Sequence, residues 1–154
     1  MNFWSVAFVA ISFIVFVICA ICDNKNKEKV PFWLFFVIPI VYYIVTAYYK
    51  NPIDWISVLL GVALSIPFFV MAFIGKCGGA DAIMVACIGA VYGILFTAVW
   101  LFFACLLFVF RVIIKKGNSL KNIIFDKTQS AFIPAAAVSF IFVSIVFILI
   151  PYIM

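Results

Sequence analysis

Apolar residues run along this chain in unbroken blocks, and the polar residues gather in short intervals between them. The blocks do not alternate polar with apolar, as the strands of a barrel would, so each predicts a helix that is apolar all round. The first block predicts a helix over 3–22, closed by Asp23 and the loop Asn24-Lys25-Asn26-Lys27-Glu28-Lys29. A second helix is expected over 31–49, with Pro31 in its first turn and Pro39 kinking it. Tyr42, Tyr43, Tyr48 and Tyr49 gather towards its far end, as aromatic residues do at a membrane interface. After the turn at Lys50-Asn51 a third helix is expected over 52–74. Asn51 suits its N-cap, Pro52 its first position, Asp54 its first turn, and Pro67 a kink further on.

The block from Asp81 to Ile114 is too long for one crossing. As one straight helix it would measure about 50 Å, against a hydrocarbon core of about 30 Å. Gly89 and Gly93 mark its weak region, so the expected division is a short helix over 82–92 and another over 94–114. A polar loop over 115–130 leads to a last helix over 132–152, with Pro134 in its first turn. The expected fold class is all-α: one domain, 1–154, built as a polytopic membrane bundle of about six helices with a short or broken fourth.

Composition agrees with lipid as the solvent. The chain is 70% hydrophobic and 10% charged, more apolar surface than a soluble domain of this size hides. Its net charge of +5 sits in short loops, which is how topology is set, so the expected contacts are membrane lipids and not nucleic acid. Lys25, Lys27, Lys29 and Lys76 mark one side as cytoplasmic. Arg111, Lys115, Lys116, Lys121 and Lys127 join them there only if 81–114 crosses twice, which leaves both termini outside. The first block is long for a signal-peptide core and has no basic residue before it, so it reads as a retained helix. The absence of histidine removes histidine triads, histidine general bases and most zinc-hydrolase sites. Cys19 and Cys22 form a single C-x-x-C, short of a zinc ribbon, and read as small apolar filler. No metal and no cofactor is expected.

The polar break Gly75-Lys76-Cys77-Gly78-Gly79-Ala80-Asp81-Ala82 carries the candidate chemistry. Its glycines leave the backbone uncovered, and it ends in an acid at the border of an apolar block. Crossing by crossing, the predicted topology puts Asp23, at the end of the first helix, on the same membrane face as Asp81. Two close carboxylates cannot both ionise easily and share a proton. Such a pair suits peptide hydrolysis: the charged member takes a proton from attacking water while the protonated member donates to the carbonyl oxygen. The helix dipole favours the charged form at Asp81 and the protonated form at Asp23. Taken singly, each acid also has a plain structural reading. Asp81 fits a helix cap, and Asp23 an interfacial acid paired with Lys25 or Lys27. Asp54, at the start of a helix, is explained by that position alone.

Gly78-Gly79-Ala80-Asp81 resembles the Gly-x-Gly-Asp signature of the type IV prepilin peptidases, and especially the archaeal preflagellin and prepilin branch, where Gly-Gly-Ala-Asp-Ala is common. Asp23, a basic loop and Val30-Pro31-Phe32-Trp33-Leu34 follow the order of that family's first half. Gly89, Gly93 and Ala131-Phe132-Ile133-Pro134 match small-residue and proline positions further on. The resemblance implies an aspartic endopeptidase with Asp23 and Asp81 catalytic and with Lys76, Gly78, Gly79 and Ala80 beside the substrate. Its partner would be a prepilin-like protein, a short basic leader followed by an apolar helix, cut at the cytoplasmic face. The cysteine-rich insert that accompanies N-methylation in bifunctional members has no counterpart here, so peptidase activity without methyl transfer is expected. Phe32 stands where the family usually has asparagine, and Ile83 where most members have lysine. The rival expectations are a non-catalytic small membrane assembly protein or decayed peptidase homologue, and a carrier using Asp81 in a broken helix.

Overall fold

The computed structural model describes residues 3–26, 32–49, 52–75, 78–116 and 132–153. They are all-α. The helices are α1 (Phe3–Asn26), α2 (Val37–Tyr48), α3 (Trp55–Ala63), α4 (Ile66–Phe73), α5 (Gly79–Lys116) and α6 (Ile133–Ile153). A 3-10 segment, Phe32–Phe36, leads into α2. Two runs, Trp55–Phe73 and Gly79–Phe110, are long and apolar enough to cross a membrane.

The element boundaries correct the sequence expectations in several places. α1 continues to Asn26, so Asp23 lies inside its last turn and not beyond it. The second helix opens as 3-10, and Pro39, which has no amide hydrogen to give, falls in the first turn of α2. The expected helix over 52–74 is two helices joined by a turn at Leu64-Ser65, with Pro67 near the start of the second. Asp54 is itself the N-cap of α3: its Oδ1 accepts from the Ser57 amide at 3.2 Å. Residues 52–54 are non-helical, so the cap role expected of Asn51 falls to the acid next to the first helical residue. Asn51 and Pro31 lie outside the described residues.

α5 is the spine, and it is broken. Gly93 has φ 73° and ψ −175°, a backbone state that side chains with a Cβ rarely adopt. Contacts show which way the chain turns there. Along α3, Ser57 meets Gly93 and Gly61 meets Gly89, so α3 runs antiparallel to the first limb of α5 (79–92). Along α6, Phe132 meets Phe108 at 5.6 Å between ring centroids, Ala136 meets Trp100, and Phe140 meets Phe96. α6 therefore runs antiparallel to the second limb (94–116). Phe68 of α4 touches the same Phe132 ring, at 6.0 Å. The beginning of α4 thus already lies level with Phe108, about 20 Å down the second limb. Both limbs leave Gly93 towards one end of the bundle: α5 folds back.

Close approach holds the limbs to their neighbours. Gly89 and Gly93 form a Gly-x-x-x-Gly pair against Gly61, and a Cβ on Gly61 would stand 2.5 Å from the Gly89 carbonyl oxygen. Backbone contact of this kind brings the helices close enough for dense van der Waals packing. On the other side, Phe16, Phe35, Trp100 and Phe140 are fully buried, with Phe16 touching the other three rings. The Trp100 indole donates to the Ala136 carbonyl at 2.9 Å, satisfying its polar atom inside this aromatic core. Outward faces are apolar too: Ile56, Leu59, Phe73, Leu95, Phe102 and Ile114 are all largely exposed.

Candidate active site

Asp81 lies in the first turn of α5, at the positive end of the helix dipole. Its amide donates to the Gly78 carbonyl at 3.0 Å, which tightens the entry into the helix. Its side chain is half-buried, and its carboxylate folds over Gly78: a Cβ at 78 would stand 3.3 Å from Oδ2. A Cβ at Gly79 would meet nothing within 4 Å. The two glycines therefore differ. Gly78 leaves room for the carboxylate, while Gly79 leaves the approach to it open. Upstream, Gly75 turns the chain with φ 75° as it leaves α4. Ala80 is half-buried and Ala82 fully buried, so the loop side of Asp81 is open and the helix side is anchored. Lys76 and Cys77 lie outside the described residues.

Asp23 lies in the last turn of α1; its side chain is outside the described residues. Its height follows from the helix that carries it. Ser12 of α1 and Tyr92 at the end of the first limb share a hydroxyl–hydroxyl hydrogen bond of 2.8 Å. One turn on, Phe16 meets Trp100 at 5.8 Å, lower on the second limb. α1 therefore descends, in chain order, away from the Gly93 level, whereas the first limb climbs towards it. Asp23 is eleven positions from Ser12, and Asp81 eleven positions from Tyr92. At about 1.5 Å per residue, both acids stand about 16 Å from the same bond, in the same direction along the bundle.

Asp54 is at the opposite end, since it caps the helix whose Ser57 touches Gly93. The cysteines Cys19 and Cys87 are buried, and among the described residues no three His, Cys, Asp or Glu side chains come together. What the sequence does not bring together is the set of hydroxyls around the Gly93 break: Ser12, Tyr43, Ser57, Tyr92 and Thr97. Each sits inside an apolar block, and nothing in the pattern of such a block names the partner of a hydroxyl. Comparison of the chain with protein-family models, with curated proteins and with solved structures returns no match.

Proposed function

We propose that this chain is a membrane-embedded aspartic endopeptidase in which Asp23 and Asp81 act as a pair, cutting the leader from prepilin-like proteins at the cytoplasmic membrane face. The observation that carries the reading is the equal descent of α1 and the first limb of α5 from the Ser12–Tyr92 bond, which gives the two acids one height. The apolar outer surface and the fold-back at Gly93 support a multi-pass arrangement of six crossings, with the two limbs of α5 as fourth and fifth. Basic loops then share the side that holds both acids.

Hydrolysis follows from a shared proton. The ionised carboxylate, assigned to Asp81 at its helix N-terminus, takes a proton from water as the water oxygen bonds to the scissile carbonyl carbon. The protonated carboxyl of Asp23 gives its proton to the carbonyl oxygen, leaving a neutral gem-diol. Asp81 then passes its proton to the amide nitrogen, the C–N bond breaks, and Asp23 recovers a proton from the diol hydroxyl. The pair ends with one proton, as it began. The open backbone at Gly79 gives an extended substrate strand a place to lie beside Asp81.

Co-expression with a prepilin-like substrate tests this. Wild type should release the leader, and Asp23→Asn and Asp81→Asn should each lose at least about 100-fold at normal membrane levels, the scale of general acid–base catalysis. Cleavage by both variants would refute the pair. A wild type that never cuts would favour the non-catalytic assembly protein.

A further inference from the structure

We propose that Ser57 is a positioning residue: it clamps the fold-back of α5 at Gly93 and so sets where Asp81 stands relative to Asp23. Its catalytic consequence rests on the peptidase reading; the clamp itself does not. At Gly93 the backbone leaves the helical region, and the first amide beyond the break belongs to Ile94. Ser57 Oγ accepts that amide at 3.3 Å. Two other hydroxyls serve the same break. Tyr43 donates to the Ala90 carbonyl at 2.9 Å, and Thr97 Oγ1 donates to the Gly93 carbonyl at 2.6 Å. Thr97 moves with the second limb and Tyr43 grips the first. Ser57 joins the two, because α3 is already seated on the first limb through Gly61 and Gly89. Its hydroxyl also fills the space where a Cβ on Gly93 would stand, so the position is closed to any other residue both by φ and by Ser57.

The clamp acts at the far end of a lever. Asp81 is twelve positions from Gly93, about 18 Å at roughly 1.5 Å per residue, so a hinge change of about 10° moves it by about 3 Å. A misplacement of about 1 Å at reacting groups is enough to cost roughly 100-fold in rate.

The test uses the full-length chain in two forms: a form with its cysteines replaced by alanine and spin labels at Gly79→Cys and Ile114→Cys, both exposed positions on α5, for the distance, and the unlabelled chain with Gly79 in place for turnover. A straight α5 would hold them about 50 Å apart; the folded-back helix gives one narrow distribution at much shorter distance. Ser57→Ala should broaden that distribution and lower leader-cleavage turnover roughly 10- to 100-fold at unchanged substrate half-saturation. Ser57→Thr, which keeps the acceptor, should restore both. An unchanged distribution in Ser57→Ala overturns the proposal, and so does a broadened one with full turnover. If the wild type cuts no substrate, the peptidase reading falls, and the distance distributions alone decide whether Ser57 holds the fold-back.

Discussion

Asp81 and Gly78 are a matched pair at the residue scale. The carboxylate occupies the space a side chain at 78 would take, so Gly78→Ala should push it from its place. A roughly tenfold fall in cleavage is expected, on the scale of small misplacements at a reacting group, with normal membrane levels. Gly79→Ala adds a methyl to open space and should cost markedly less; equal losses at the two positions would contradict this division of roles. Asp54 gives a control. Asparagine caps a helix as well as aspartate does, so Asp54→Asn should leave cleavage and thermal stability near wild type, whereas Asp54→Ala should cost about 1 kcal/mol of stability. At this scale the two acids are legible in the sequence because each stands at the border of an apolar block. The cap is misread there by a few residues: Asn51-Pro52 looks like a helix start, but residues 52–54 are non-helical and the helix begins at Trp55.

Among the elements, the fold-back of α5 has the widest consequences, and its glycines have different jobs. The sequence marks Gly89 and Gly93 together as a weak stretch, and the break falls at Gly93, between the two helices expected. Gly89 is helical and is glycine for another reason: its backbone touches that of Gly61, leaving no room for a Cβ on either. That contact involves residues on separate apolar blocks, which periodicity cannot pair. Gly89→Ala and Gly61→Ala should therefore each destabilise by at least about 1–3 kcal/mol, the range for overpacking, because the obstacle is backbone and cannot swing aside. Thermal unfolding in detergent reads this, and a melting temperature unchanged in both variants would refute the contact. The turn at Leu64-Ser65, which divides α3 from α4, has no comparable mark in the sequence. Pro67 signals an interruption nearby, but an expected kink becomes two helices because the chain re-enters the helix with proline in its first turn, where it loses no hydrogen bond.

At the scale of the whole molecule, one side of the bundle gathers the ends of α1 and α4, the start of α5 and the end of its second limb, and with them both candidate acids and the positions of Lys25, Arg111, Lys115 and Lys116. The Tyr43–Trp55 stack, at 6.1 Å, and the exposed Tyr48 and Tyr49 lie at the other side, as an interfacial aromatic belt would. Cys77 should accordingly resist a membrane-impermeant thiol reagent applied from outside and react once the membrane is opened; ready labelling from outside would invert the topology. Joining the acids across the chain is what most needs a direct test. In a cysteine-free background, Asp23→Cys paired with Asp81→Cys should be bridged by a short bifunctional thiol reagent, while Asp23→Cys paired with Asp54→Cys should not. Failure of the first pair, or bridging of the second in its place, would put the acids at different heights and remove the basis of the account.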